Sequence, residues 1–154
     1  MSDAAAARAL LERLRVTGLR LDREGHWWHE GEPVRHEGLA RALHRWIDRL
    51  PDGRYVLRLD GSRWAHFECE DTPYVARSAR REGDSFWLLL SDETEERLDP
   101  GTLARRGEDL VCRVKCSRYP ARLSRQAVYA LGEALREDTD GLVLRAEGHE
   151  FLIR

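Results

Sequence analysis

Cysteine is scarce in this chain. Cys69, Cys112 and Cys116 are the whole complement, an odd number with no framework spacing. That excludes a disulfide-stapled secreted scaffold and suits a reducing compartment. Long apolar runs are also missing, so no stretch of the sequence reaches the length needed to span a bilayer. The alanines from Ala4 to Ala7 are followed by Arg8, Glu12, Arg13 and Arg15 rather than by a signal-peptide core, and a cytoplasmic, membrane-free protein is the expectation. Nor is there an excess of positive charge. At a formal net charge of -2 the surface as a whole is not built to coat duplex nucleic acid, and a basic site has to be local.

Catalytic signatures are absent as well: the sequence has no GxSxG elbow, no Walker loop, no dinucleotide fingerprint and no HExxH. His26 and His29 invite a metal reading, but on a strand that spacing puts the two rings on opposite faces, and no second cluster completes a zinc set. No metal and no other cofactor is expected.

What is present is a globular composition. In 154 residues, 42% apolar and 35% charged, there is enough to bury a core in one compact domain or in two very small lobes. The pattern predicts a helix from Ala4 to Arg15, short strands at Leu19 to Leu21 and Trp27 to Glu30, and a second helix from Glu37 to Arg49. In that helix Leu39, Ala42, Leu43, Trp46 and Ile47 recur at the 3.6 period. Tyr55 to Leu59 and Arg63 to Cys69 flank Asp60-Gly61-Ser62 and read as a hairpin. Strands follow at Tyr74 to Ser78 and Phe86 to Leu90, then a polar run from Ser91 to Pro100 that reads as loop. Leu110, Cys112, Val114 and Cys116 alternate with polar residues, which predicts a half-buried strand whose cysteines face the core. A third helix is expected from Arg125 to Glu137 with Ser124 as its N-cap, and a closing hairpin from Leu142 to Ile153.

One order of elements occurs twice: strand, Pro-x-Arg, amphipathic helix, Asp-Gly stop, hairpin. Pro33 and Arg35 correspond to Pro120 and Arg122. With one inserted residue, Leu39, Ala42, Leu43, Ile47 and Asp52-Gly53 correspond to Ala127, Ala130, Leu131, Leu135 and Asp140-Gly141. The expected fold is therefore α+β, with two similar lobes, residues 1–70 and 71–154, each built of strand, helix and antiparallel hairpin.

The runs Gly25-His26-Trp27-Trp28-His29-Glu30-Gly31-Glu32-Pro33-Val34, Asp52-Gly53-Arg54-Tyr55, Glu70-Asp71-Thr72-Pro73-Tyr74-Val75 and Tyr119-Pro120-Ala121-Arg122-Leu123-Ser124-Arg125 resemble the bacterial family called domain of unknown function 1285. The resemblance covers nearly all of the chain after the first helix. It implies a duplicated motif, a C-terminal part like pleckstrin-homology folds, a ligand site between the halves, a nucleotide-like ligand and a role in signal transduction.

The residues add a physical hint of their own. A helix N-terminus disfavours cations, yet Arg35 and His36 precede one helix, and Arg122 and Arg125 bracket the start of the other, with Tyr119 nearby. Basic residues there make sense around a phosphate or carboxylate, and Arg35, His36, Tyr119, Arg122 and Arg125 are the candidate ligand-binding residues. The competing account is that these arginines pair with acids such as Glu32 and Glu37 or cover apolar surface with their stems. Of the aromatic residues, Trp27, Trp28, Trp64, Tyr74 and Tyr119 are able to stack a base, with packing the main use of most of them. Glu68, Glu70 and Asp71 form the densest carboxylate group and fit a charge-protected edge strand or an acid/base pair. The reading that follows is a non-catalytic binding protein for a nucleotide-like or phosphate-bearing small molecule. Its rivals are a protein-interaction module with a protein partner and an enzyme using Glu70 or Asp71.

Overall fold

The computed structural model describes residues 16–154; the expected first helix, Ala4 to Arg15, lies outside them. The chain divides into two compact units, Met1–Asp71 and Thr72–Arg154. Among the described residues there are two α-helices, two six-stranded mixed sheets and one three-stranded sheet, which is an α+β, two-lobe architecture. No described helix is long and apolar enough to cross a membrane.

The N-terminal unit contains β1 (Val16–Leu21), β2 (Trp27–His29), β3 (Glu32–Pro33), α1 (Glu37–Arg45), β4 (Ile47–Arg49), β5 (Tyr55–Arg58) and β6 (Trp64–Cys69). The strands form one sheet in the order β3-β2-β1-β6-β5-β4. Every neighbouring pair is antiparallel except β1 with β6, which run parallel. Its core gathers Leu21, Trp27, Leu43, Ile47, Val56 and Leu57, each contributing about 1.5–3 kcal/mol by leaving water. Trp27 also satisfies its ring N–H, which donates to Nδ1 of the buried His44 at 2.8 Å.

The C-terminal unit contains β7 (Tyr74–Glu82), β8 (Ser85–Leu90), β9 (Glu95–Arg97), a 3-10 turn (Pro100–Thr102), β10 (Ala104–Arg106), β11 (Asp109–Val114) and β12 (Tyr119–Leu123). These are followed by α2 (Arg125–Leu131), a second 3-10 turn (Gly132–Ala134), β13 (Leu135–Asp138), β14 (Gly141–Ala146) and β15 (His149–Ile153). The larger sheet runs β10-β11-β12-β7-β8-β9, and the smaller is the antiparallel meander β13-β14-β15. Again one pair, β12 with β7, is parallel. The alternation of Phe86, Leu88 and Leu90 along β8 buries one face of that strand, as Leu110, Cys112 and Val114 do on β11.

The repeated unit is visible in the backbone. His36 caps α1 with its ring, accepting from the Leu39 N–H, and Ser124 caps α2 with its hydroxyl, accepting from the Ala127 N–H. Leu39 and Ala127 are a matched pair of the sequence repeat, and so are Ile47 and Leu135, which open β4 and β13. Each helix is thus followed by a strand that pairs with the next one.

That arrangement corrects both expected helix ends. The helix expected to reach Arg49 stops at Arg45, and Ile47–Arg49 pairs with Tyr55–Leu57 instead. The one expected to reach Glu137 stops at Leu131, where Gly132 adopts a left-handed φ of 52°, and Leu135–Asp138 pairs with β14. The polar run from Ser91 to Pro100 is not all loop, since Glu95–Arg97 joins β8 as an edge strand. Strand β11 ends at Val114, because Lys115, Cys116 and Ser117 all take left-handed φ values of 55°, 58° and 62°. Cys112 faces the core as expected, but Cys116 sits in that turn and is exposed.

Candidate functional site

The five residues singled out in the sequence fall into both units. Arg35 and His36 lie side by side just before α1 in the N-terminal unit, and both are exposed. The His36 ring is partly committed, because its Nδ1 accepts the Leu39 N–H at 3.0 Å. In the C-terminal unit Tyr119 is 4% exposed and Arg122 5% exposed, whereas Arg125 is on the surface as the first residue of α2. The Arg122 backbone N–H donates to Thr72 Oγ1 at 3.2 Å, within the pairing of β12 alongside β7. The five-residue strand β12 also separates Arg118 from Arg125, and at about 3.3 Å per residue that places them roughly 15 Å or more apart along the chain.

Tyr119 belongs to a stacked polar cluster. Its ring packs on Tyr74 with centroids 5.5 Å apart, the Arg118 guanidinium lies 5.4 Å from the Tyr119 ring centre, and Lys115 Nζ lies 5.4 Å from that of Tyr74. Lys115 in turn donates to Asp92 Oδ2 at 2.7 Å and to Thr94 Oγ1 at 2.8 Å. Burial pushes the Asp92 carboxyl up, but hydrogen bonds from Lys115 and Thr94 and the ammonium charge outweigh it and hold the group below its ordinary value. Burial, with the Asp92 charge beside it, pushes the Tyr74 phenol upward. Every charge in this cluster already has a partner, so its chemistry is that of a structural ion pair.

The carboxylates near the end of β6 are similarly occupied. Glu70 pairs with Arg20 at 2.9 Å and Asp71 with Arg23 at 3.5 Å. Arg20 also lies over the Trp28 ring, whose N–H donates to Asp22 Oδ2 at 2.8 Å. Among the described residues no group of three His, Cys, Asp or Glu side chains is placed to hold a metal ion.

A concave site does occur elsewhere in the C-terminal unit. Arg81, Asp84, Glu133, Ala134, Arg145 and Gly148 line a cleft of about 360 Å³. Two hairpin turns build it. Glu82 and Ser85 close the β7–β8 turn around Gly83 and Asp84, and Ala146 and His149 close the β14–β15 turn around Glu147 and Gly148. Glu147 and Gly148 both need positive φ, 52° and 75°, the signature of the primed turns that match strand twist. The turns are joined through Asp84, whose carbonyl accepts the Glu147 N–H at 2.8 Å and whose Oδ2 accepts the Gly148 N–H.

On the cleft wall Arg145 has a distinct position. Its direct cross-strand neighbour is Glu150, yet that carboxylate is taken by Arg136 at 3.0 Å. Arg145 is left exposed and without an ion pair among the described residues. None of the five residues singled out in the sequence lines this cleft. Both turns are readable from Gly83-Asp84 and Glu147-Gly148, but nothing in a single sequence signals that they meet.

No family model and no curated protein matches the chain. Its fold is similar to the crystal structure of a DUF1285 family protein from Silicibacter pomeroyi DSS-3, at a TM-score of 0.73 and 17% identity over 89% of this chain and 79% of that one. It is similar also to that of a DUF1285 family protein from Shewanella baltica OS155, at a TM-score of 0.59 and 15% identity over 71% of this chain and 85% of the other. At these identities the likeness is one of fold, in agreement with the resemblance carried by the Gly25 to Val34 and Tyr119 to Arg125 stretches.

Proposed function

We propose that this is a non-catalytic binding protein whose C-terminal cleft takes a small phosphate-bearing ligand, nucleotide-like in size, as a ligand-sensing protein in signal transduction would. The observation that carries the reading is Arg145, an arginine on the wall of a cleft whose natural cross-strand acid is already bound to Arg136. Guanidinium groups recognise phosphate and carboxylate oxygens through paired N–H donors, which suits Arg145 to a phosphate. The volume of about 360 Å³ is at the small end of the range for small-molecule sites. Calorimetry with AMP, pyrophosphate and glycerol 1-phosphate tests it. Binding of at least one, weakened about tenfold to a hundredfold by Arg145→Gln, is the expected result. Failure of all three to bind would overturn the reading.

Tyr129 favours a second reading, the protein-interaction module. It is 87% exposed on α2, and tyrosine is among the residues enriched at protein–protein interfaces. Cross-linking in cells should then capture a protein partner with the natural chain and lose it with Tyr129→Arg. Equal capture by both would sink that alternative.

A further inference from the structure

We infer that the ligand of the C-terminal cleft is dipolar, carrying an amine or another cationic N–H group a short distance from its phosphate; this rests on the cleft being a ligand site. Four charged side chains line it, two arginines and two acids, so the acids offset part of the attraction that the arginines offer a simple anion.

Two of the four are already engaged. Asp84 accepts the Gly148 N–H, and the Arg81 guanidinium lies 3.9 Å from its other oxygen. Arg81 further donates from Nε to the Gly83 carbonyl at 3.1 Å and lies over the Phe86 ring at 5.6 Å. This pair holds the β7–β8 turn in place and largely balances itself.

The other two are Arg145 and Glu133. They have opposite signs and line the same cleft, yet neither forms an ion pair or side-chain hydrogen bond among the described residues, including with each other. The backbone explains how they come to share a wall. The β13–β14 ladder reaches Leu135 opposite Leu144, which brings the preceding 3-10 turn, with Glu133 and Ala134, beside Arg145. The left-handed Gly132 before it ends α2 and starts that turn. A phosphate alone would satisfy Arg145 and meet repulsion from Glu133. A ligand with a phosphate and a cationic amine answers both side chains at once, and the arrangement discriminates against ligands having only one of the two groups.

The intact chain is titrated by calorimetry with phosphoethanolamine and with glycerol 1-phosphate, which share the phosphate and differ in the amine. Phosphoethanolamine is expected to bind about tenfold tighter. Glu133→Gln should bring the two ligands to similar affinity, and Arg145→Gln should weaken both, with thermal melting confirming that each variant is folded. Equal binding of the two by the natural chain, or a preference that survives Glu133→Gln, overturns the dipolar ligand and leaves the phosphate site standing. If neither compound binds, the dipolar ligand is overturned, and the phosphate site then stands or falls with AMP and pyrophosphate.

Discussion

The imidazole of His36 lies folded over Gly38: a Cβ on Gly38 would come within 3.0 Å of His36 Cε1 and 3.4 Å of its Nδ1. The ring needs that space because its Nδ1 accepts the Leu39 N–H and so caps α1. A glycine in the first turn of a helix costs up to about 1 kcal/mol relative to alanine, and a side-chain cap contributes about the same in the other direction. Gly38→Ala should therefore fail to stabilise the natural chain, while the same change in a His36→Ala background should stabilise it by about 0.5–1 kcal/mol. Denaturant melts of the four members of the cycle measure the coupling, and additivity would show that the ring and the glycine are independent.

The Asp92–Lys115 pair gives the C-terminal unit an acid-sensitive contribution. Because the Asp92 carboxyl titrates below its ordinary value of 3.8 when folded, its stabilisation is complete above that value and drains away as pH falls through the lower, folded one. Stability of the natural chain should decline below about pH 4, and more steeply than that of Asp92→Asn. Lys115→Met at neutral pH leaves the carboxylate buried beside Thr94 without its cation and should cost about 1–3 kcal/mol. Urea melts at pH 7 and pH 3 check both signs; an identical pH slope for Asp92→Asn would remove the pair from the account.

The three thiols should separate cleanly. Burial pushes Cys112 up to about 12 and Cys69 up to about 11, so both stay protonated near neutral pH. Cys116 is exposed in the left-handed turn after β11. At pH 8 a thiol reagent should label one cysteine of the folded chain, identified as Cys116 by peptide mass, and all three in denaturant. Rapid labelling of Cys112 in the folded state would contradict the packing of β11.

How far these features were legible differs with the range over which the chain must be read. The duplicated unit was visible, because Leu39 with Ala127 and Ile47 with Leu135 hold their places in both copies. The helix ends were not, since Trp46 and Ile47 continue a helical stripe and are also good strand formers; pairing with Tyr55–Leu57 decides the matter, and that is a tertiary choice. Alternation likewise carries on from Leu110 through Cys116, but three left-handed residues end the strand. Arg122 reads as accessible by chemistry alone and is buried because β12 lies between β11 and β7. The cleft depends on Asp84 meeting the Glu147-Gly148 turn, a contact across most of the unit's sequence.

The Trp27–His44 hydrogen bond offers a last test, of the core that α1 covers. His44 is 1% exposed and uses Nδ1 as an acceptor, so in this arrangement the imidazole carries no proton there. Trp27→Phe keeps most of the apolar ring, including its packing on Phe67, but removes the donor. The cost should then be about 1–3 kcal/mol, since the acceptor stays in the core after losing its N–H. Replacing both partners, as Trp27→Phe with His44→Leu, should recover part of that loss, because a polar atom that is no longer present needs no partner. If the double variant is less stable than the sum of the single ones predicts, the pair contributes shape rather than a hydrogen bond. Chemical denaturation followed by fluorescence of the remaining tryptophans distinguishes the two cases.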